Sequence, residues 1–549
     1  MRLRFATLVC FLLIPLICAC QEDTGHPLDL NSLIPGPGQA DYDADLEALA
    51  RMYDRQFHAF SAFGMGLNAD IGVPADSIED RELIRAFLQD SDGWDFEEHS
   101  GKHPFDVVSG WAATAGLYSG VGIAADAYRY AVLRDSGTNA DETALAAEHL
   151  TDALEGLHIA TAITGVPGVI ARGFLSADIP GDAASTELTP LFDEYGFPLP
   201  AEKNNGTWRA DNSGLYPNHI WLDSCSRDML IGWAAGFAAA WEVIRDDGRF
   251  SADLKDRLQA DAREIGHSLK VVRESGFDLE IFDADSRATF HGYLNEYNYD
   301  RVYLPWMPIR NGMYALMALG IVAAFQYTAE DAELESYLYE ELIGARQLSK
   351  ISRRNQMGFD LGVKSNYSGY NMAFMGAWLA YRYVEDEVVR EDVKAALANL
   401  LYDKWWKDRQ AVEIGQSLFD FIYAACMAGA SAFTPISTPP DAGAMERGLQ
   451  TLKDFPMPPY WDLELINCDE EEIASGDCTA VDGTHLDVLG YIGRKGTLVC
   501  AQPVPMNIRP PSNYHWRSNP YCPNGGGNGA RLLPAVDFRY AYWLGRWTR

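Results

Sequence analysis

The sequence predicts an all-α protein built from antiparallel helical hairpins, and three observations support this. Between residue 41 and about residue 455, apolar residues recur with the 3.6-residue period of α-helices. The connections between successive helical segments are alternately short and long, and a short connection makes its two helices antiparallel neighbours. Helices that follow long connections are uniformly apolar and rich in small residues, whereas those that follow short connections are amphipathic.

The helical period defines a series of elements before Phe455, and several carry suitable caps. Asp223-Ser224 is a helix start, and Gly165 and Gly429 are helix ends. No convincing strand pattern occurs in this part of the chain. The predicted helices are 43–63, 105–134, 141–163, 223–245, 252–274, 307–327, 331–348, 370–384, 391–404, 416–430 and 444–453.

The connections predict how the helices are arranged. Short connections are 135–141, 246–251, 327–330 and 385–390; long ones are 164–222, 275–306 and 349–369. Apolar helices would then form an inner ring and amphipathic helices an outer ring. This pattern resembles the (α/α)6 toroid of many glycoside hydrolases, polysaccharide lyases and terpenoid-type cyclases. The resemblance covers roughly residues 41–455 and is architectural, so it implies a fold more than a function. An α-solenoid is the alternative, but no fixed repeat is visible.

The chain is strongly acidic and rich in aromatic residues. Its formal net charge is −34, which disfavours DNA, RNA and anionic membrane surfaces, because each would require clustered Lys and Arg. No C-x-x-C pair occurs, and the acidic loop 468–478 lacks EF-hand spacing. We therefore predict neither a metal nor a cofactor.

The N-terminus resembles that of a bacterial lipoprotein. Arg2 and Arg4 precede an apolar stretch too short to span a membrane. It ends in Ile17-Cys18-Ala19-Cys20, which resembles a lipobox. The resemblance implies lipidation of Cys20 and anchoring in the bilayer, with the outer membrane favoured because Gln21 is not Asp. The protein would face the periplasm or the cell surface; a plain secretory signal is the alternative.

The predicted domain organisation has four parts. Residues 1–19 are a signal peptide, 20–40 a polar tether, 41–455 the helical body and 456–549 a loop-rich extension that packs back on the body. In the extension, Cys468/Cys478 and Cys500/Cys522 are plausible disulfides in an oxidising compartment. We expect Cys225 and Cys426, which lie in helical segments, to be buried thiols. The run PNGGGNGA lacks the Lys of a phosphate loop and is interpreted as a flexible turn.

If inner and outer helices alternate, the long loops emerge together at one end of the body, where such toroids place their clefts. Four clusters of polar and aromatic residues would meet there. Rings alternating with amides, carboxylates and Arg suit carbohydrate, because sugar faces stack on aromatic rings while polar groups bind hydroxyls. The predicted substrate-binding residues are Trp208, Arg209, Trp221, Arg227, Arg301, Asn366, Tyr367, Tyr370, His515, Trp516 and Arg517.

Two reactions fit these clusters. Glycosidic hydrolysis needs two carboxyl groups across the scissile bond, and Asp223 or Asp228 with Glu296 or Asp300 could provide them. Elimination from a uronate needs a base and a group that neutralises the carboxylate. The candidates for these roles are His219, His291, Tyr293, Asn366, Arg301 and His515.

Each candidate also has a structural explanation. Asp223 and Asp228 can cap a helix, Arg227 can pair with a loop carboxylate, and the segment around His515 can anchor the extension. The predicted function is cleavage of a poly- or oligosaccharide by a lipid-anchored protein. Hydrolysis is slightly favoured, because so acidic a protein is a poor host for a polyuronate. The alternative is a non-catalytic lipoprotein that binds glycan or protein. A cyclase has no supporting DDxxD-type cluster.

Overall fold

The computed structural model describes residues 32–113, 116–177, 179, 186–299, 301–306, 309–356, 362–403, 410–428, 430, 440–515 and 518–548, without the side chains of 111–113. This part of the chain is helix-rich. Its α-helices are α1 (Ala44–Gln56), α2 (Ile78–Asp90), α3 (Phe96–Ser100), α4 (Pro104–Val107), α5 (Gly116–Ser136), α6 (Ala140–Ala162), α7 (Arg227–Ile244), α8 (Ala252–Leu269), α9 (Gly312–Ala329), α10 (Ala332–Ser336), α11 (Leu348–Ser352), α12 (Tyr367–Tyr383), α13 (Glu387–Ala396), α14 (Ser417–Met427), α15 (Ala444–Lys453), α16 (Glu470–Ser475) and α17 (Val536–Trp547).

The long apolar helices pack side by side in a closed order. Helix α5 contacts α7, α7 contacts α9, α9 contacts α12, α12 contacts α14, α14 contacts α17, and α17 contacts α5. Amphipathic helices lie against them: α6 on α5, α8 on α9 and α7, α13 on α12, α15 on α14 and α1 on α17. The π-helical turns Phe57–Ser61, Tyr337–Ala345 and Leu397–Tyr402 continue α1, α10 and α13. The predicted difference between apolar and amphipathic helices therefore corresponds to their burial.

Glycines bring α5 and α7 into close contact. A Cβ atom on Gly232 would lie 2.2 Å from the Cα of Leu117, and one on Gly120 would lie 2.0 Å from the carbonyl oxygen of Gly232. Both contacts are with backbone, which a side-chain rotation cannot relieve. Helix α9 is long and apolar enough to cross a membrane by composition, but 89% of that window is buried inside the protein. Its apolar character is explained by its place in the core.

Several predicted boundaries are wrong. The predicted helix 105–134 is interrupted, because its first residues form the short α4 and a strand before α5 begins. The helix predicted from Asp223 begins at Arg227, since Ser224 adopts a left-handed conformation with φ of 67°. Helix α2 was not predicted at all. Periodicity locates the long helices well but not the irregular turns between them.

The expectation that no strands precede Phe455 is also wrong. The strands are β1 (Ala69–Gly72), β2 (Gly110–Ala113), β3 (Gly173–Ser176), β4 (Trp208–Ala210), β5 (His219–Leu222), β6 (Glu280–Phe282), β7 (Ala288–Tyr293), β8 (Asn298–Tyr299), β9 (Val302–Tyr303), β10 (Leu465–Ile466), β11 (Asp477–Thr479), β12 (His485–Gly490), β13 (Val499–Cys500), β14 (Asn524–Gly525) and β15 (Arg531–Leu532). They form sheets of two or three strands, ordered β15-β1-β2, β3-β5-β4, β6-β7, β8-β9, β10-β14 and β11-β12-β13. Of these sheets, β3-β5-β4, β6-β7 and β8-β9 lie within the predicted long connections. Elements this short show no measurable alternation of apolar and polar residues.

The C-terminal segment packs against the helical body through both β15 and α17. Strand β15 pairs with β1, and α17 lies between α5 and α14. The predicted Cys468–Cys478 disulfide is present, with Cα atoms 5.5 Å apart. The predicted Cys500–Cys522 disulfide is not formed, although the amide of Cys500 donates to the carbonyl of the adjacent Tyr521 at 2.8 Å. Cys225 and Cys426 are buried thiols, as expected, and burial raises the pKa of both.

Candidate functional site

A cleft of about 580 Å³, which we call the main cleft, opens where the C-terminal segment meets the first turns of α5 and α7. Tyr118 and Met229 contribute to it from those two helices. Its polar lining includes Asp70, Arg172, Asp462, Asn513 and Arg531. The cleft therefore lies at the N-terminal ends of the apolar helices, the end at which the sequence predicts a site.

A small sheet places Asp70 and Asp462 on one wall of the main cleft. In β15 Leu532 lies opposite Ile71 of β1, and on its other side Leu532 is bridged to Trp461. These three side chains are buried, at 1%, 1% and 4% exposure. Because successive side chains of a strand alternate between faces, Asp70, Arg531 and Asp462 lie together on the opposite face, toward the cleft.

The spacing of this sheet sets the separation of the two acids. Neighbouring strands lie about 4.8 Å apart and successive residues about 3.4 Å apart. Asp462 pairs with Arg531, opposite Gly72, so the Cα atoms of Asp70 and Asp462 are diagonal neighbours on the order of 12 Å apart. Carboxyl groups that invert a glycosidic centre are about 6.5–9.5 Å apart, which leaves room for sugar and water. Both acids line the main cleft, so a ligand there would lie within reach of both side chains.

The contacts of the two acids differ. Asp70 accepts a hydrogen bond from the side-chain amide of Asn513 at 2.9 Å, and its other oxygen lies 4.0 Å from the exposed guanidinium of Arg531. Asp462 accepts a hydrogen bond from the backbone N–H of Arg531 at 3.0 Å. Asp70 therefore contacts a side-chain amide and lies near a cation, whereas Asp462 contacts a backbone amide.

Two glycines and a tyrosine pair shape the rest of the main cleft. A Cβ on Gly526 would lie 2.1 Å from the carbonyl oxygen of Leu463, and one on Gly527 would lie 2.1 Å from a carboxyl oxygen of Asp462. Only glycine allows this close approach. Tyr118 stacks nearly parallel on Tyr514, whose hydroxyl accepts a hydrogen bond from Asn68 at 2.8 Å. Aromatic and polar groups are thus held together at the cleft.

Asp223 lies outside the main cleft, in a buried ion cluster. Its carboxylate accepts hydrogen bonds from Arg209 at 2.7 Å and from Lys203 at 3.1 Å, and Asp223 and Arg209 are each 1% exposed. Lys203 also contacts Asp283 at 2.6 Å and Asp285 at 3.4 Å. Burial raises the pKa of Asp283 to about 6. These contacts argue against the predicted catalytic role of Asp223 and the predicted substrate-binding role of Arg209. The cluster instead joins the loop that contains Lys203 to the loop that contains Asp283 and Asp285.

Glu296 is likewise engaged by cations. It is 1% exposed, and Arg346 binds both of its carboxyl oxygens, one of them at 3.1 Å. The same guanidinium contacts Asp278 at 2.7 Å, and Arg310 lies 3.6 Å from Glu296. Glu296 is therefore buried among cations and is not part of the lining of the main cleft, which argues against its predicted catalytic role.

Asp228 and Arg227 lie in the first turn of α7. Asp228 is half-buried and accepts a hydrogen bond from the hydroxyl of Ser226, the N-cap residue. Arg227 lies over the ring of Tyr314, 5.1 Å from its centroid. An acid at a helix start interacts favourably with the helix dipole, so the position explains Asp228 without catalysis.

The two loop histidines lie in different places. His219 borders a groove of about 500 Å³ together with His58, His149, Glu148 and Asp152. His291 is on β7, with its ring 4.7 Å from that of Phe290. The predicted meeting of all four clusters at one cleft is therefore not observed for these residues.

Tyr293 and Arg301 line another cavity, of about 660 Å³, beside β6 and β7. Burial raises the pKa of Tyr293, as does the charge of Glu280. A phenol whose pKa is raised stays protonated near neutral pH and lacks the phenolate that would accept a proton, which argues against the elimination role predicted for Tyr293.

The remaining predicted binding residues are mostly structural. Trp221 is fully buried and donates to the carbonyl of Ala210 at 2.8 Å, while Trp208 is half-buried on β4. Tyr367 and Tyr370 are buried and stack on each other, and Asn366 precedes them as the N-cap of α12.

His515 anchors the C-terminal segment. It is 1% exposed, contacts the hydroxyl of Tyr460 and donates its amide to Asp537 at 2.7 Å. Burial, together with the positive charge of Arg509, lowers the pKa of His515 to about 3. These contacts support the structural explanation for His515, in which it anchors the C-terminal segment, rather than the predicted role in substrate binding. Asp300, Trp516, Arg517 and Cys20 lie outside the described residues.

Sequence reasoning missed Asp70, Arg172, Asp462 and Arg531. Asp70 and Arg531 lie on short strands, Arg172 directly precedes one, and Asp462 follows a proline-rich turn, so no helical pattern marked them. The glycine run 525–527 was a usable signal, because consecutive glycines often mark a close backbone approach. It was interpreted as a flexible turn instead. Among the described residues, no group of three or more His, Cys, Asp or Glu side chains is placed to hold a metal ion.

Comparison with known proteins adds little. No family model matches the chain, and no curated protein matches it. Among solved structures, the chain is similar to the crystal structure of D-mannose isomerase, over 75% of this chain and 99% of that chain. The sequence identity is 10% and the TM-score 0.27, a similarity too low to support an argument about fold or reaction.

Proposed function

We propose that this protein is an (α/α)6 toroid that hydrolyses a glycosidic bond of a poly- or oligosaccharide in the main cleft. One observation carries the proposal: Asp70 and Asp462 lie on the same face of a sheet, one strand apart, over a cleft that also presents Tyr118. Two carboxyl groups that line one cleft are the pair that hydrolysis requires. The closed packing order of the apolar helices supports the toroid, with six helices inside and their amphipathic partners outside.

The two acids would act together on one bond, in a single displacement. Asp462, as the acid, donates its proton to the glycosidic oxygen, and the C–O bond to the leaving sugar breaks. Asp70, as the base, takes a proton from water, whose oxygen bonds to the anomeric carbon. We assign the base role to Asp70, whose carboxyl group is oriented by the amide of Asn513 and lies 4.0 Å from the guanidinium of Arg531. Asn513 and Arg172 remain available to orient hydroxyl groups of the sugar.

Replacing either acid by its amide tests this assignment. We expect Asp70→Asn and Asp462→Asn each to lower kcat by roughly 10²–10⁴-fold, because each removes a proton-transfer group but keeps the shape of the side chain. The measurement is the release of reducing ends from a panel of neutral and acidic glycans, with Asp228→Asn as the matched control at a carboxylate outside the cleft.

Two outcomes would overturn hydrolysis at this site. Formation of an unsaturated, ultraviolet-absorbing product would show elimination instead. Binding of glycan by the wild-type protein without cleavage of any panel member would show a non-catalytic binder.

We further propose that the protein is anchored to the outer membrane through a lipid on Cys20, as the lipobox-like sequence indicates. Metabolic labelling with a radioactive fatty acid should mark the wild-type protein and not the Cys20→Ser variant. Labelled Cys20→Ser protein, or unlabelled wild-type protein in the soluble fraction, would contradict the anchor. The hydrolase proposal does not depend on this result.

A further inference from the structure

The cavity beside β6 and β7, which we call the arginine pocket, is separate from the main cleft and shares none of its lining residues. It lies between the end of α8 and the strands β6, β7 and β9. Three arginines contribute to its wall, together with two tyrosines and one buried acid: Arg273, Arg287, Arg301, Tyr293, Tyr303 and Glu280. In a chain with a net charge of −34 this concentration of guanidinium groups is unusual.

Two of the three guanidinium groups are held over aromatic rings. Arg273 lies 4.1 Å from the ring centroid of Phe282, and Arg301 lies 4.0 Å from that of Phe290. Stacking against a ring fixes the guanidinium plane and leaves its in-plane N–H groups free to donate. Arg273 donates to Ser268, but its Nε is buried and has no hydrogen-bond partner among the described residues.

Among the residues that the structure describes, the acids near the pocket leave one cation without a paired carboxylate. Arg287 is paired with Asp285 at 2.7 Å. Glu280 is 2% exposed and accepts a hydrogen bond from the hydroxyl of Tyr303 at 2.6 Å. Its negative charge interacts favourably with the guanidinium of Arg273. The remaining acid of the lining, Glu274, is exposed to solvent. The guanidinium of Arg301 forms neither an ion pair nor a hydrogen bond with any described residue.

Arg301 lies in the turn of a β-hairpin and has an unusual backbone conformation. Strands β8 and β9 form a hairpin, and Arg301 occupies its turn with φ of 75°, a left-handed conformation that is costly for residues other than glycine. The side chain of Asn298 accepts the amide of Arg301 at 3.1 Å and holds the turn. A strained, non-glycine residue at a pocket is a common feature of ligand-binding sites.

We propose that the arginine pocket binds a carboxylated sugar. Its carboxylate would accept hydrogen bonds from Arg273 and Arg301, and its ring would lie against Tyr293. Planar guanidinium groups suit the planar carboxylate, whereas the aromatic wall and hydroxyls suit a sugar ring. This site is additional to the proposed hydrolytic site and does not depend on the carboxylate pair there.

Calorimetric titration of the full protein with glucuronate, glucose and acetate tests the proposal. We expect glucuronate to bind with a Kd near the millimolar range, more tightly than either other ligand, and Arg301→Gln to weaken its binding by roughly tenfold. Arg301 is exposed, so this variant should retain the wild-type thermal midpoint. The matched control is Arg249→Gln, which removes the same charge from the exposed turn between α7 and α8.

The outcomes separate this proposal from the proposed hydrolase. Loss of glucuronate binding in Arg301→Gln, with the release of reducing ends from a cleaved glycan unchanged, would place the ligand outside the main cleft. The proposal is overturned if Arg301→Gln and wild type bind glucuronate equally, if Arg249→Gln weakens binding as much, or if no heat of binding appears. Equal affinity for acetate would also overturn it, because the sugar ring would then contribute nothing to binding. Equal affinity for glucose would overturn it as well, because the carboxylate would then contribute nothing.

Discussion

Replacing Asp223 by Asn is expected to lower the free energy of unfolding by about 3–5 kcal/mol, because it leaves buried cations without their partner. Lys203, Arg209 and Arg287 face the carboxylates of Asp223, Asp283 and Asp285. Loss of one carboxylate gives this buried cluster an excess positive charge. Urea unfolding followed by circular dichroism measures the effect.

The matched control is Asp228→Asn, which removes a carboxylate from a half-buried helix start and should cost about 1 kcal/mol or less. The two residues were equivalent candidates in the sequence. If Asp223→Asn protein is as stable as wild type but inactive toward a cleaved glycan, Asp223 is catalytic and its assignment to the ion cluster is wrong.

Replacing Gly232 by Ala is expected to destabilise the protein by about 3 kcal/mol, because α5 and α7 must move apart. The new methyl group would lie 2.2 Å from the Cα of Leu117 and 2.6 Å from the carbonyl oxygen of Gly116. The thermal midpoint and the urea midpoint should both fall. The change would also alter the main cleft, since Tyr118 and Met229 reach it from these two helices.

Gly248→Ala provides the comparison. Gly248 is exposed, and a Cβ there would meet no atom within 4 Å. This substitution should change stability by about 1 kcal/mol at most, in the stabilising direction. Equal effects of the two substitutions would show that close packing of α5 and α7 does not limit stability.

The long helices could be predicted because each one carries its own signal. Burial of α9 on all sides requires apolar residues around the whole helix, and the sequence of 312–329 shows them. The amphipathic α8 shows one polar side for the same reason. Short strands such as β15 carry no such signal. Two residues cannot display alternation, and their pairing with β1 joins positions more than 450 residues apart.

The candidate site was predicted only at the level of its place in the fold. Alternating connections predicted a site at the N-terminal ends of the apolar helices, and the main cleft lies at that end of α5 and α7. Whether an acid lines the cleft depends on whether a cation from elsewhere in the chain pairs with it. Asp223 and Asp70 are both acids near turns, but Asp223 is paired with Arg209 and Lys203, whereas Asp70 lines the main cleft. No local pattern distinguishes the two.

The sequence by itself determined that the protein is helical, which helices are buried, and that Cys468 and Cys478 are near enough to pair. Only the tertiary structure decided which carboxylates remain accessible. Helix burial depends on the composition of one segment, and a short disulfide loop depends on local spacing. The accessibility of an acid depends instead on whether a cation distant in sequence is folded against it, as Arg346 is against Glu296.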